Sequence, residues 1–556
     1  MTDSLTIALA QVNPTVGALP ANGELIRRAR AEAAARGADL VVFPELSVCG
    51  YPPEDLVLKP FFMDRVEALV QALAAETADG GPGLLVGAPW RVDGKRHNAA
   101  LLLDGGAVAA VRVKHDLPNY GPFDEKRVFS PGPLPGPVNF RGVRLGVMVC
   151  EDMWTPDVAE TLAETGAEIL VVPNGSPFER NKADTRLNLA VARVTETGLP
   201  LVYLNQVGGQ DELVFDGASF VLNADRSVAA QLPAFREHVA ITHWQRAGDG
   251  WVASSSEFTP PPGDEEATYQ AMVLGLRDYV EKNRFAGVIL GMSGGVDSAI
   301  SATVAVDALG ADRVHCVMMP SPYTSRESLE DAAECAELIG ARIDSIAIEP
   351  AMKAYESMLA PFFAGRDPDI TEENLQSRAR GMTLMALSNK FGAMVLSTGN
   401  KSEMSVGYAT LYGDMCGGYS VLKDVYKTMV YRLCRWRNDN LPTGARGPAG
   451  RVIPERILTK APTAELKPNQ TDQDTLPPYD ELDDILECLV ENDLSIAEIV
   501  ARGHGRETVE RVWRMLDRAE YKRRQAPPGV KVTRRSFGKD RRYPITSGFL
   551  SLAKEG

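Results

Sequence analysis

Runs of consecutive apolar residues recur along the chain, separated by stretches with helical spacing. Residues 5–11, 40–45, 84–89, 98–103, 143–149, 169–173 and 200–205 are apolar at successive rather than alternate positions. That is the pattern of strands covered on both faces. Residues 22–36, 155–166 and 183–197 space their apolar positions as helices do. Asn22 is placed to cap the first of these and Gly37 to stop it. The alternation predicts an α/β or layered α-β-β-α domain that closes near residue 258.

A run rich in proline and acidic residues, Pro260-Pro261-Pro262-Gly263-Asp264-Glu265-Glu266, breaks the periodicity. It is read as a linker over 259–266 between domains 1–258 and 267–556. Residues 265–284 follow as an amphipathic helix, with Tyr269, Met272, Leu276 and Tyr279 as a core or subunit-contact stripe. Apolar strands at 287–290, 314–320 and 341–348 then alternate with helices at 299–309, 328–339 and 374–390. A fourth strand over 393–403 runs into a polar loop. This is a doubly wound parallel-sheet pattern, whose ligands sit beyond the carboxyl ends of the strands. Residues 438–480 are long and polar for a loop, which predicts a lid or a contact segment. The tail from Lys522-Arg523-Arg524 to Arg541-Arg542 is basic and reads as a solvated face or a phosphate contact.

The most informative stretch joins the first strand and helix of the second half: Gly291-Met292-Ser293-Gly294-Gly295-Val296-Asp297-Ser298. Gly291, Gly294 and Gly295 let backbone N–H groups approach an anion, and the helix N-terminus favours negative charge. Ser293 and Ser298 add hydroxyl donors. Asp297 is a carboxylate where phosphates belong, which makes sense if it holds Mg²⁺. Glu403 beside Asp297 gives that ion a second hard oxygen. The loop lacks the Gly-Lys-Ser/Thr ending of an ATPase P-loop. It resembles the Ser-Gly-Gly-x-Asp-Ser loop of the N-type ATP pyrophosphatases, which implies a grip on the pyrophosphate released when a substrate oxygen attacks the α-phosphate of ATP.

Three residues of the first half end strands: Glu45, Lys114 and Cys150. A thiol attacks as thiolate, a carboxylate accepts its proton, and an ammonium stabilises the thiolate and the oxyanion. Their surroundings, Phe43-Pro44-Glu45-Leu46, Lys114-His115-Asp116-Leu117-Pro118 and Val149-Cys150-Glu151-Asp152-Met153-Trp154, resemble the Glu-Lys-Cys signatures of the nitrilase superfamily. That resemblance implies an α-β-β-α sandwich that splits an amide or nitrile through a thioester or thioimidate. Tyr120-Gly121-Pro122-Phe123-Asp124-Glu125 and Asn174-Gly175-Ser176-Pro177-Phe178 are similar to its glutaminase branch, which implies a glutamine pocket of Tyr120, Glu125, Ser176 and Lys182. Glu125 matches the family's second glutamate. Lys182 stands where arginine is frequent, and lacks the bidentate fork. Cys49, before a Gly-Tyr-Pro-Pro turn, is read as structural.

Further stretches extend the resemblance over the whole chain. Asn374-Leu375-Gln376-Ser377-Arg378, Ser397-Thr398-Gly399-Asn400-Lys401-Ser402-Glu403, Tyr412-Gly413-Asp414-Met415-Cys416-Gly417-Gly418 and Pro462-Thr463-Ala464-Glu465 are similar to the glutamine-dependent NAD⁺ synthetase family. The family implies ATP contacts at Arg378 and Thr398, and deamido-NAD⁺ contacts at Asn374, Glu403 and Lys522. It also implies Mg²⁺ on Asp297 and Glu403, an enclosed route for ammonia, and a homo-oligomer. Cys416, often alanine in that family, is given no chemistry.

Charge and composition narrow the partners further. A net charge of −15 disfavours nucleic acid or an anionic membrane as partner. Seven scattered cysteines form neither a disulfide framework nor a zinc pattern. Met1-Thr2-Asp3-Ser4-Leu5 carries no leader signature, and no apolar run is long enough to span a membrane. A reducing cytoplasm is the expected compartment.

Overall fold

The computed structural model describes residues 3–468 and 470–548. Met1 and Thr2, part of the stretch read for a leader, lie outside the described residues. The chain divides into two compact units, Met1–Gly263 and Asp264–Gly556. The helix expected from residue 265 is Asp264–Lys282. Tyr269, Met272 and Leu276 are buried in it, and Tyr279 stacks on Tyr419 with ring centroids 4.3 Å apart.

The first unit is a sandwich of two sheets. One has seven strands, in the order Gly250–Ala253, His238–Ala247, Ser4–Gln11, Leu40–Val42, Gly83–Val92, Lys95–Asp104, Ala107–Val113. The other has six: Val228–Gln231, Phe220–Leu222, Leu201–Asn205, Ile169–Asn174, Val143–Val147, Val138–Phe140. Successive residues of one strand serve different layers, because side chains alternate across a strand. Ile7, Leu9, Leu40 and Val42 meet Leu145, Val147, Val171 and Val202 between the sheets. Their neighbours Ala8, Ala10 and Val41 pack outward with Ile26, Ala33, Val66 and Val70 of helices Leu19–Ala35 and Pro60–Glu76. Leu170, Val172 and Tyr203 do the same with Val158, Leu162, Ala190 and Val194 of Asp157–Glu164 and Lys182–Thr197. The layers are α-β-β-α, and the double-sided apolar strands follow from it.

The second unit is built on five parallel strands, ordered Arg342–Ser345, Val314–Met318, Val288–Gly291, Met394–Ser397, Tyr419–Ser420. Chain order reverses direction at Val288–Gly291, so its carboxyl end opens on the switch point of a doubly wound sheet. A separate helical core, with Leu482, Ile485, Val509, Val512 and Leu516 buried, is formed mainly by Tyr479–Val490 and Arg506–Arg518.

Several local expectations are corrected. Asn22 lies inside the first helix, which begins at Leu19 with proline in its first turn. Its side chain instead accepts from Thr15 N and donates to Thr15 O and Val48 O. The helix expected from Asn374 starts at Ile370, because Asp369 and Glu372 form a capping box. Helix Glu349–Phe363 was not anticipated. It fully buries none of its residues, Met352 alone of them packing in part against the parallel-sheet core, so its core-facing stripe is too thin to read. Glu403 lies on helix Lys401–Val406, not on a loop, because the Asn400 side chain accepts from Glu403 N. Residues 438–480 include the short helix Glu455–Thr459. The basic tail is not one solvated face: Arg523 and Arg541 are buried on Glu520.

Candidate active sites

In the first unit the strand ends bring Glu45, Lys114 and Cys150 together. Glu45 sits just past Leu40–Val42 in a turn packed on Gly87, where a Cβ would meet Leu46 N at 2.2 Å. Lys114 directly follows Ala107–Val113. Cys150 opens the turn Cys150–Met153 in left-handed backbone, φ 49°. That is a strained conformation for a residue with a side chain, of a kind that concentrates at functional sites. Asp152 ties this turn to the lysine segment, accepting from Val149 N at 2.9 Å, His115 N at 3.0 Å and Asp116 N at 2.8 Å.

The charges are fully buried. Lys114 Nζ donates to Glu45 Oε1 at 2.7 Å and to Glu125 Oε1 at 2.9 Å. Tyr51 OH donates to Glu125 Oε1 at 2.9 Å, and Gly175 N to Glu45 Oε2 at 2.9 Å. Asn98 Nδ2 donates to Glu45 Oε1 at 2.7 Å and reaches Glu125 Oε2 at 3.4 Å. Burial lowers the Lys114 ammonium pKa, but Glu125 and Glu45 outweigh it, so the group stays charged. Burial, with Glu45 beside it, lifts Glu125 to about 7 despite Lys114. Burial and the Glu45 charge also hold the Cys150 thiol well above its usual range, against the pull of Lys114. A thiol held neutral at rest needs a base at the moment of attack. Glu45 is that neighbour.

The expected pocket residues are spread around this centre. Tyr120 is 51% exposed and its hydroxyl lies 3.0 Å from both carboxylate oxygens of Glu151. Lys182 Nζ lies 5.9 Å from the ring centroids of both Phe123 and Trp154. Ser176 is buried, and its Oγ accepts from Arg186 Nε at 3.1 Å. Arg186 also pairs with Asp216 at 2.8 Å and donates to Ser176 O and Pro177 O. Tyr51, Asn98, Asp152 and Arg186 were missed from sequence. Asn98, a lone amide opening an apolar strand, was the one legible signal. Cys49 is buried and its thiol donates to Gly50 O.

In the second unit a cavity of about 300 Å³ opens beyond Val288–Gly291. Gly291, Ser293, Gly295, Asp297, Ser298, Thr398 and Glu403 all line it. Gly294 turns the loop at φ 77°, where a Cβ would meet Ser328 O at 2.2 Å. Gly294→Ala should therefore weaken anion binding at this loop by roughly tenfold or more, as left-handed strain and this clash displace it; equilibrium dialysis with ATP as the probe checks it. Ser298 Oγ lies 3.1 Å from Ser293 Oγ and donates to Gly295 O at 3.0 Å. Among the described residues no side chain caps helix Val296–Leu309, so its first N–H groups can face an anion.

Asp297 and Glu403 share one cation, the Lys427 ammonium, 3.1 Å from Glu403 Oε1 and hydrogen-bonded to Asp297 Oδ2. Asn400 Nδ2 donates to Asp297 Oδ1 at 3.0 Å. Burial and the neighbouring Asp297 lift Glu403 to about 7 even with Lys427 in contact. Two converging carboxylates short of positive charge are a donor set that fits Mg²⁺. Among the described residues no group of three or more His, Cys, Asp or Glu is arranged for a metal. That suits an ion that takes its other ligands from phosphates and water.

The remaining predicted positions fall outside this cavity's lining. Arg378 is exposed and donates to Leu411 O at 3.2 Å, whereas Arg380 lines the cavity and was missed. Asn374 Oδ1 accepts from Thr410 at 3.1 Å. Lys522 Nζ donates to Gly407 O and Ala409 O, both at 2.7 Å. These two gather on the 407–414 segment just past the helix that carries Glu403. Lys427 and Lys460 also line the cavity and were not singled out from sequence.

The comparisons divide the chain in the same order. Residues 6–248 match the carbon-nitrogen hydrolase family and residues 268–526 the NAD synthase family. A glutamine-dependent NAD(+) synthetase of Rhodobacter capsulatus is 54% identical over 547 residues, covering 98% of this chain and 99% of that one. One from Acinetobacter baylyi is 45% identical, with the same coverage. The solved glutamine-dependent NAD⁺ synthetase of Acinetobacter baumannii, in complex with ADP, superposes with a TM-score of 0.78 at 43% identity over 98% of this chain and 99% of that one. No helix among the described residues is long and apolar enough to cross a membrane. With both candidate sites in place and identity sustained over nearly the full length, this chain belongs to the glutamine-dependent NAD⁺ synthetases, ligases that use ATP and take their amide nitrogen from glutamine.

Proposed function

We propose that Cys150 releases ammonia from glutamine and that the Gly291–Ser298 loop presents ATP for adenylation of deamido-NAD⁺. One observation carries this reading: a single chain holds both a buried Glu45–Lys114–Glu125 cluster around a thiol and a glycine-loop cavity at a sheet switch point. Cys150 Sγ attacks the side-chain carbonyl of glutamine while Glu45 takes the thiol proton. Lys114 stabilises the oxyanion. The C–N bond breaks, Glu45 returns the proton to the leaving nitrogen, and ammonia departs from a thioester. Water, deprotonated by Glu45, cleaves the thioester to glutamate. Tyr120, Glu125, Ser176 and Lys182 form the glutamine pocket, with Glu125 also keeping Lys114 charged and aimed.

In the second unit the nicotinate carboxylate attacks the α-phosphorus of ATP and pyrophosphate leaves. Ammonia then displaces AMP to give the amide of NAD⁺. Gly291, Ser293, Gly294, Gly295 and Ser298 hold the phosphates, with Thr398 and the cavity-lining Arg380 on the nucleotide. Asn374, Glu403 and Lys522 hold deamido-NAD⁺. Asp297 and Glu403 would hold Mg²⁺, which when bound neutralises charge building on the phosphates. The test is NAD⁺ formation from deamido-NAD⁺ and Mg-ATP with glutamine or ammonium. Absence of product with both nitrogen sources, while ATP is cleaved with another acid, would overturn the substrate assignment. The reaction is placed in the cytoplasm.

The assembly is a homo-oligomer in this reading. Its support is an apolar surface: Met358 (64%), Phe362 (80%), Ile370 (67%), Met382 (66%) and Phe391 (60%) are exposed on or beside helices Glu349–Phe363 and Ile370–Phe391. So many large exposed side chains on two successive helices suit a self-complementary contact. Phe362→Glu with Met382→Glu should lower the solution mass to that of the monomer, measured by light scattering. An unchanged mass would place the contact elsewhere.

A further inference from the structure

We propose that Asn98 is a positioning residue that dictates which oxygen of Glu45 takes the thiol proton. The inference rests on the glutaminase reading above and deepens it. Asn98 opens the apolar part of strand Lys95–Asp104, and none of its side chain reaches solvent. Among the described residues its amide nitrogen is the one group besides Lys114 that reaches both buried carboxylates, at 2.7 Å from Glu45 and 3.4 Å from Glu125. The orientation is set by chemistry: the carbonyl oxygen in that place would face two carboxylates. The cost is visible on the other side, where Asn98 Oδ1 is buried with no partner among the described residues. A residue kept only for packing has no reason to carry an orphaned acceptor.

The donor count on Glu45 shows what the amide achieves. Oε1 accepts from Lys114 Nζ and Asn98 Nδ2, and those two bonds saturate it. Oε2 accepts only from Gly175 N among the described bonds. The same Gly175 N–H also acts on the Cys150 thiol, so Oε2 shares a donor with the nucleophile. Asn98 and Lys114 thus occupy Oε1 and leave a lone pair of Oε2, the oxygen that shares the Gly175 donor with the thiol, to receive the proton. Asn98 never touches the substrate in this scheme.

Asn98→Leu keeps the approximate volume and removes the donor, and Asn98→Ala removes both. Glutamine hydrolysis should fall about a hundredfold in each, mainly in kcat. The acidic limb of its pH profile should move upward by about one pH unit, as expected on losing a charge-assisted hydrogen bond to the base. The pH dependence of Cys150 alkylation by iodoacetamide should change with it, a readout independent of turnover. NAD⁺ formation from ammonium, unchanged within about twofold, would show that the variants fold. Unmoved pH profiles in both variants would overturn the inference, whether the rate is retained or merely lowered. Loss of the ammonium-driven reaction in both variants, with the alkylation profile unmoved, overturns it equally. Cys150→Ala separates the two levels: if that variant still hydrolyses glutamine, the glutaminase reading itself fails.

Discussion

Cys150→Ala abolishes glutamine-driven NAD⁺ formation, by on the order of 10⁴-fold or more, and leaves ammonium-driven formation within about twofold of wild type. The size follows from the site. Glu45, Lys114 and Glu125 form one buried cluster that meets Cys150, and no other thiol is offered to it. Cys49 is buried too, but its thiol is spent on Gly50 O and burial pushes its pKa far up. Removing a nucleophile from such a unit costs nearly as much as removing the unit. The retained half of the result is as informative. The residues around the Gly291–Ser298 cavity all belong to the second compact unit, so ammonium supplied from solution has no need of the thiol. If glutamine use survived in the variant, another group would be the nucleophile. If both reactions were lost, Cys150 would be needed for folding.

Asp297→Asn lowers NAD⁺ formation from either nitrogen source by about a thousandfold, while hydrolysis of glutamine, assayed without ATP, is unchanged. The substitution keeps the shape and an acceptor for Asn400 Nδ2. It removes one of the two negative charges that converge on Lys427. With Asp297 neutral, Glu403 is the one carboxylate among the described residues still in contact with Lys427, Asp472 acting on it only through the cavity. A hard divalent cation then loses much of its reason to prefer this place. Mn²⁺ in the presence of ATP, followed by its paramagnetic signal, should bind at least tenfold more weakly. Equal metal binding in the variant would move the metal away from Asp297 and leave only the glycine loop in the reading.

Which parts of this were legible follows from how local each signal is. The loop from Gly291 to Ser298 is contiguous, and its strand, turn and helix all agree, so sequence placed it without a fold. The doubly apolar strands likewise announced covered sheets, because alternate residues of each strand face different layers. Sequence named Glu45, Lys114 and Cys150 from their surroundings, but nothing in spacing could show them meeting. Their meeting is a property of the seven- and six-stranded sheets, whose strand ends converge. Tertiary structure also decided which polar residues complete the site. Asn98 and Tyr51 lie 53 and 74 positions from their carboxylate partners, and no local pattern links residues so far apart. Arg378, named from the resemblance, is exposed outside the cavity's lining while Arg380 lines it, because packing alone fixes which face of helix Ile370–Phe391 turns toward the cavity. The basic tail shows the limit from the other side: composition offered Arg523 and Arg541 as a solvated face or a phosphate contact, but folding buried both against Glu520. Sequence by itself determined the two chemistries and the strands that carry them. The pairing of charges, and which oxygen meets which hydrogen, was decided by contacts between distant segments.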